Sequence, residues 1–561
     1  MTAEPFDVVI VGSGAAGGTA AYVLTKAGAR VCVLEAGRNY DPATETPMFN
    51  TNRQAPLRGA GTPDKPFGYY DATIDGGWQV PGEPYSSTPG TEFRWWRARM
   101  LGGRTNHWGR ISLRFAEHDF KGFTADGHGV DWPFGYAEFA PWYDKAERFI
   151  GVTGGQDGLD DQPDSPEGVL LPNLPPRAHE RLLIMGGQKL GRPVVGSRLA
   201  ILTKAHNGRP ACILATPCGR GCSIAANFQS TTVMLRPALA TGKLEILTQA
   251  MATEVEVDRE GKAKGVHYVD RQTGEHRFVA GRTVVLAASA LETARILMNS
   301  KNPVFPNGIG ADSGVLGRYI MDTTGSSISG QFPQLESLPA YNEDGISSAH
   351  IYIPWWGLKD WRAGKLNFAR GYHIETWGGR TEPDGGIAWD TEQMAPGLWG
   401  KRLKAEARRY YGSFVGLAQR GEALPYHGNF CELNPDLRDR YGVPTLRFTY
   451  KWSEHELEQT RHAQTAMAEF IEASGGKVFH PGTTDPAKLI AKPGQIIHEV
   501  GGARAGTSAK DSVVDSYGKV WGTPNLWVVD GAVFPSNAHK NPTLTIIAFA
   551  WRASEAMMRS A

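Results

Sequence analysis

The beginning of the chain constrains its fold more than any other stretch. Phe6-Asp-Val-Val-Ile-Val11 reads as a short buried strand, Gly12-Ser-Gly14-Ala-Ala-Gly17-Gly18 follows, a helical pattern runs on to Lys26, and Arg30 to Glu35 reads as a second strand. A Gly-x-Gly-x-x-Gly triplet alone says little. Framed by a strand, a helix and an acid at the end of the next strand, it meets the physical needs of a dinucleotide site. Gly12 makes the tight turn, Gly14 lets the backbone approach a pyrophosphate, and Gly17 lets the helix pack on the strand. The helix N-terminus favours the phosphates and Glu35 reaches ribose hydroxyls. The motif does not separate FAD from NAD. Its place at residue 12 of a long chain that returns late to α/β texture favours FAD.

Residues 38–95 read as a long irregular excursion, usually functional inside a compact domain. Tyr136 to Ile150 looks helical, and 151–180 is another Gly/Pro/Asp-rich connection. Leu244 to Leu247, Ala252 to Val257, Lys264 to Val269, Glu275 to Val279 and Thr283 to Ala287 read as strands, with a helix from Ala290 to Met298. From about 318 to 490 the texture changes. Tryptophans 355, 356, 361, 377, 389 and 399 cluster, strand-like pieces recur at 349–353 and 444–450, and Trp452 to Ala473 is a helix opened by a Ser453/Glu456 capping box. Asn525 to Asp530 reads as a buried strand and Pro542 to Met558 as a mostly apolar helix. The expected fold is α/β with antiparallel additions: a Rossmann-like cofactor domain of residues 1–317 and 491–561, and a substrate domain of antiparallel sheet, residues 318–490.

The chain has 561 residues, with 59 Lys and Arg against 58 Asp and Glu. That balance leaves no basic excess to grip nucleic acid, so no nucleic-acid partner is expected. No run approaches the roughly 18 apolar residues of a membrane span. The start lacks the basic residues of a secretory signal. The five cysteines are too few for a disulfide scaffold.

Four further segments carry a family resemblance. They are Leu101-Gly-Gly-Arg-Thr-Asn-His107-Trp108, Gly314-Val-Leu-Gly317-Arg318-Tyr-Ile-Met321, His498-Glu-Val-Gly-Gly-Ala-Arg504-Ala-Gly506, and Val528-Val-Asp530-Gly531-Ala-Val-Phe-Pro535 followed by Asn541-Pro542-Thr543. With the glycine motif they resemble, in order and over the whole chain, the glucose–methanol–choline (GMC) oxidoreductases. The chain departs from the family pattern at Gly502, where Thr is usual, and at Ala505, where Met is usual. Within the family it looks like the flavoprotein subunits of bacterial sugar dehydrogenases, of the glucoside 3-dehydrogenase and gluconate 2-dehydrogenase type. Pyranose oxidases are the next neighbours.

The resemblance implies an FAD enzyme that oxidises a sugar hydroxyl, of a glucoside or pyranoside at C3, to a ketone. It places His498 and Asn541 beside the flavin as the catalytic pair. Such chemistry needs an imidazole to accept the hydroxyl proton and an amide to hold the oxygen. His539, two residues from Asn541, competes for the second place. The residues expected to hold the cofactor are Gly12, Gly14, Gly17, Glu35, Gly102, Gly103, Asn106, His107, Asp530, Gly531, Asn541, Pro542 and Thr543. In several family members the histidine matching His107 bonds covalently to the flavin; a noncovalent contact is the alternative. Trp355, Trp356 and Trp377 are candidates for stacking on a sugar ring, or for the core.

Cys212-x5-Cys218-x3-Cys222 lies in a Gly-rich loop, residues 211–227. Three soft ligands at short spacing suit an iron–sulfur cluster better than a disulfide with one cysteine left over, though the spacing matches no standard ferredoxin run. Buried or zinc-binding cysteines are the alternative, and Cys431 is the candidate for a fourth ligand. Related sugar dehydrogenase subunits carry a cluster in this region, which implies electron relay to an outside acceptor such as cytochrome c and a small subunit that assists export. The expected location is accordingly the periplasm, on the partner's signal, or the cytoplasm. An oxygen-using pyranose or glycoside oxidase is the rival reading.

Overall fold

The computed structural model describes residues 4–46, 48, 54, 57, 76–214, 218–338, 349–380, 391–392 and 394–560. Much of the 38–95 excursion, Trp389 and residues 215–217 of the cysteine loop lie outside the described residues.

The opening β-α-β unit forms as its sequence dictates. Strands Phe6–Val11 and Val31–Leu34 pair in parallel, with helix Ala15–Lys26 between them. Gly12 sits at φ +96°, and a Cβ there would lie 2.3 Å from the Ala287 carbonyl oxygen. No side chain fits that turn. The four residues Val31–Leu34 are all buried. A strand buried on both faces reads as a continuous apolar run, as this one does.

The first sheet has seven strands, in the order Leu244–Leu247, Val31–Leu34, Phe6–Val11, His276–Leu286, Ala263–Asp270 and Ala250–Val257, with Leu526–Val528 also paired to His276–Leu286. The sequence suggested two strands at 275–279 and 283–287; the structure has one strand, His276–Leu286. The polar break at Gly281-Arg282 marks a change of partner instead of a turn. Residues 276–280 pair antiparallel with Ala263–Asp270, whereas 281–286 pair in parallel with Phe6–Val11. Val284, Val285 and Leu286 also pair with Leu526, Trp527 and Val528 on the other edge. Helix Thr543–Ser560 packs against helix Ala15–Lys26.

A second sheet runs Lys477–Phe479, Thr324–Gln331, Phe414–Gly421, Tyr372–Gly378, Ile351–Ile353 and Val195–Gly196, all antiparallel. One face packs under helices Glu454–Ala473 and Ala178–Leu190, where Tyr372, Ile374, Val415, Leu417, Met467 and Phe470 share a core. Ser453 caps the longer helix and Glu456 completes the reciprocal box, as its sequence predicted. Alternation along the strands turns His373, Glu375 and Trp377 to the opposite face, with Arg420, Ala418 and Gly416 as their cross-strand partners. A small third sheet joins Phe430–Arg438, Pro444–Thr449 and Ser86–Ser87.

Trp355 and Trp356 belong to the helix-covered core, packed on Tyr372. Of the two readings offered for these tryptophans, Trp355 and Trp356 take the core one. Cys32 lies inside strand Val31–Leu34, and Cys431 is buried in a separate core with Phe93, Trp95 and Phe448.

Candidate functional site

A cavity of about 690 Å³ lies between the first sheet and the free face of the second. At one end it is lined by Gly12, Ser13, Gly14 and Glu35. At the other it reaches His373, Glu375, Trp377, Arg420, His498 and Asn541, with Gly103, His107, Asp530, Gly531, Pro542 and Thr543 also on its walls.

The glycine end fits FAD on a direct observation. A Cβ placed on Gly14 meets no atom within 4 Å, so the chain keeps side chains out of that space. At Gly17 the opposite holds: a Cβ would lie 1.9 Å from the Gly12 carbonyl oxygen, which makes Gly17 a packing residue. Glu35 Oε1 accepts from the Gly37 amide at 2.7 Å and Oε2 from the Ser13 amide and hydroxyl, at 3.2 and 2.5 Å. Gly102 and Asn106 do not line the cavity; they build its turn. Gly102 has φ +86°, and Asn106 Nδ2 donates to the Leu101 carbonyl at 2.9 Å. Asp530 accepts from the Ser289 and Ala532 amides and the Thr293 hydroxyl, which fixes the 530–533 turn against helix Ala290–Asn299.

At the other end, His498 Nε2 and Asn541 Nδ2 stand 3.3 Å apart. His498 Nδ1 is 3.0 Å from the Thr323 hydroxyl, and its backbone amide donates to Asp322 Oδ1 at 2.9 Å. Burial pushes the His498 imidazole down to about 3, against the pull of the Glu375 carboxylate. It is therefore a neutral ring near neutral pH, able to take a proton. The Asn541 Oδ1 atom is buried without a hydrogen-bond partner. Burial also drives the Asp322 carboxyl up to about 7, with Glu499 pushing the same way.

His539 is turned away from this pair. Its Nε2 bonds Asp161 Oδ1 at 2.9 Å, and it does not line the cavity. It belongs to a buried polar cluster in which Lys540 Nζ reaches Asp119 Oδ2 at 2.8 Å and Asp161 Oδ1 at 3.0 Å. Among the described residues, His118, Asp161 and His539 are the one trio whose donor atoms converge as on a metal ion. The Lys540 ammonium already supplies a cation there.

His107 lines the cavity, and its Nε2 accepts from Trp96 Nε1 at 3.1 Å. The cysteine loop adjoins this segment. Buried Arg110 donates to the carbonyls of Cys218, at 2.8 Å, and Asn106, at 3.0 Å, and Gly219 and Arg220 lie on the cavity wall. Burial, with a smaller push from nearby Cys218 and Cys222, raises the Cys212 thiol to about 11. Among the described residues the three sulfurs do not converge on a single-ion position.

Sequence reasoning did not single out Glu375, Arg420 or His373. Their signal is the alternation of polar with apolar residues in His373-Ile-Glu-Thr-Trp377, readable once the strand is known. Trp377 lies over Gly416, where a Cβ would come within 1.8 Å of the indole. Among the described residues no helix is long and apolar enough to cross a membrane.

Two family profiles, both described as GMC oxidoreductase, match residues 6–313 and 425–550. Paromamine 6'-oxidase of Streptomyces fradiae is 29% identical over 98% of this chain and 91% of its own length. The 2-methyl-1,2-propanediol dehydrogenase of Mycolicibacterium austroafricanum is 27% identical over 100% and 96%. The fructose dehydrogenase large subunit of Gluconobacter japonicus is 27% identical over 98% and 97%. Among solved structures, pyridoxine 4-oxidase from Mesorbium loti superposes with a TM-score of 0.62 at 17% identity, covering 99% of each chain. With the glycine turn and the 101–108, 498–506 and 528–543 segments meeting at one cavity, the chain belongs to the GMC oxidoreductases and is an FAD-dependent oxidoreductase acting on CH–OH donors.

Proposed function

We propose that the protein oxidises a secondary hydroxyl of a sugar, in a glucoside or related pyranoside at C3, to the ketone. The observation that carries this reading is the His498–Asn541 pair at 3.3 Å on a cavity wall that also presents Trp377. Relatives named for paromamine and fructose support a sugar-like donor. Bound FAD would supply the hydride acceptor. The neutral His498 Nε2 takes the hydroxyl proton, the Asn541 amide holds the oxygen as it gains negative charge, and the Trp377 face packs on the apolar side of the ring. In this reading residues 1–317 with 491–561 serve the cofactor and 318–490 the substrate.

The finer parts of the proposal are a covalent bond from His107 to FAD, and an iron–sulfur cluster on Cys212, Cys218 and Cys222 that passes electrons to an acceptor such as a cytochrome. The contact of Arg110 with both Cys218 and the flavin segment supports a relay position. The partners are then a small export subunit and a cytochrome, with a periplasmic location on the partner's signal; the cytoplasm is the alternative. Colour that stays with acid-precipitated protein tests the covalent bond. Iron and acid-labile sulfide in anaerobically prepared protein test the cluster, with less than about one iron per chain counting against it.

The relatives named oxidases favour a second reading, in which oxygen is the acceptor. The deciding experiment is anaerobic titration of holoenzyme with methyl β-D-glucopyranoside, glucose and fructose, followed by product identification and oxygen-uptake measurement. Bleaching of the flavin band with a 3-keto product supports the proposal. Bleaching only by small non-sugar diols overturns it.

A further inference from the structure

The two ends of an asparagine amide have opposite chemistry: the NH2 donates and the oxygen accepts. To hold an oxygen that is becoming negative, Asn541 has to present its NH2. Nothing within Asn-Pro-Thr decides which end faces the cavity.

Glu375 supplies that decision. Its Oε1 lies 3.1 Å from Asn541 Nδ2. An ionised carboxylate only accepts, so the atom facing it must be the donor nitrogen. Burial opposes the charge on Glu375, but Arg420, whose Nη2 is 3.0 Å from Oε2, and His373, whose Nε2 is 3.5 Å from Oε1, outweigh it and hold the carboxyl well below its usual range. The same Nδ2 points its second hydrogen at His498 Nε2. A flipped amide would set Oδ1 against the carboxylate.

The consequence extends to the imidazole. Because Nε2 accepts from Asn541, the neutral ring carries its proton on Nδ1 and donates it to the Thr323 hydroxyl at 3.0 Å. In the free site the second Asn541 hydrogen occupies that Nε2 lone pair; a substrate hydroxyl entering between the two groups takes the N–H onto its oxygen and leaves the lone pair to receive its proton. With the amide flipped, a carbonyl oxygen would face Nε2 and draw the ring proton there, leaving Nε2 no lone pair to receive the alcohol proton. The other titratable groups around the ring are Arg420, His373 and Arg104, with Asp322 at its backbone amide.

We propose that Glu375 is a positioning residue that locks the Asn541 amide with its NH2 toward the reacting oxygen and thereby sets the tautomer of His498. The inference rests on the reading of His498 and Asn541 given above, and extends it to a strand that the family segments do not include.

The test uses holoenzyme labelled with [15N]histidine, with the His498 signals assigned by difference from His498→Ala. Wild type is expected to show the Nδ1-protonated neutral ring. Glu375→Gln, which can donate as well as accept, is expected to shift a measurable fraction to the Nε2-protonated form. That effect should vanish in an Asn541→Ala background. In parallel, anaerobic stopped-flow with the sugar that bleaches wild type should show a limiting flavin-reduction rate at least ~10-fold lower in Glu375→Gln, with sugar affinity changed far less and no further loss when Asn541→Ala is already present. Glu375→Asp keeps the charge for Arg420 but withdraws it from Nδ2, and carries the same tautomer test if the Gln variant does not fold. An unchanged tautomer, or a Glu375 effect that persists undiminished without Asn541, overturns the proposal. A normal reduction rate in Asn541→Ala instead removes the assigned role of Asn541 and leaves the amide-orientation measurement standing.

Discussion

His498 Nε2 meets the Asn541 side-chain nitrogen at 3.3 Å across 43 positions of sequence. The contact joins a loop paired with the Thr323 strand entry to the loop that opens the C-terminal helix. The two groups are held from opposite sides: Thr323 and Asp322 behind the histidine, Glu375 behind the asparagine.

His498→Ala is expected to retain FAD and to slow flavin reduction at least ~10²-fold, since only proton removal is lost. Asn541→Ala should also be slow. His539→Ala should act mainly on stability, because its Nε2 bonds Asp161 and its ring reaches the cavity wall only indirectly, through a 3.4 Å contact with His373. Single-turnover rates and melting temperatures of the three variants separate these outcomes. A His539 variant slower than the His498 variant at normal stability would reverse the assignment.

Gly14→Ala and Gly17→Ala should differ in kind. The first places a methyl group in space that the chain leaves open for the pyrophosphate, so the apoprotein should melt near wild type while FAD affinity falls at least ~10-fold. The second drives a methyl into the Gly12 carbonyl and should destabilise the apoprotein itself. Melting curves with and without FAD check both.

Lys540→Met removes the cation from between Asp119 and Asp161, both buried. Asp161 keeps its bond to His539, but removing the ammonium from a buried ion pair costs about 3–5 kcal/mol. Denaturant unfolding at pH 7 measures the loss. A loss under about 1 kcal/mol would mean that the two acids protonate or admit water at little cost.

Acid should unfold the protein steeply below about pH 4.5. Burial opposes the Glu83 charge, yet Arg99, Arg271 and Arg97 hold its carboxyl at about 2, and Glu180 is held at about 2 against burial by Arg177. A carboxyl depressed in the fold contributes stability that is fully present above its unfolded value and lost as pH falls toward its folded one. For Glu83 that amounts to about 3 kcal/mol between roughly pH 4.5 and 2. Asp322, raised to about 7, acts the other way: protonated in the fold while its unfolded carboxyl protonates only near roughly pH 4, it adds stability as pH falls to that point and nothing further below it. Urea unfolding of the apoprotein from pH 5 to 2.5 checks this, and Glu83→Gln should be less stable at pH 7 but flatter across that range.

Several features could be read from sequence because their causes are local. The β-α-β unit follows from an apolar run, a glycine turn and one acid, and the Ser453/Glu456 box marks a helix start by itself. Other features depend on partners far along the chain. Nothing near Lys540 predicts that Asp119 and Asp161 enclose it, so its sequence reads as an exposed charge. Glu375 gains its meaning from Arg420 on the next strand and Asn541 from another sheet. Trp355 and Trp377 look alike in sequence; Trp355 follows strand Ile351–Ile353 into the core against Tyr372, whereas the parity of its position in Tyr372–Gly378 puts Trp377 on the cavity. The break at Gly281-Arg282 looks like a turn and is a change of pairing partner.

Strand His276–Leu286 bonds Phe6–Val11 on one edge and Leu526–Val528 on the other. During synthesis this order delays assembly. The glycine turn leaves the ribosome among the first residues, but its sheet acquires the 526–528 edge, and with it Asp530 and Asn541, only after nearly the whole chain is made. Flavin capture is thus a late event, and a nascent chain stalled ahead of residue 526 should retain none. For most of translation the apolar edge of Val284 to Leu286 stands uncovered, which makes this strand the place where a chaperone has most to shield.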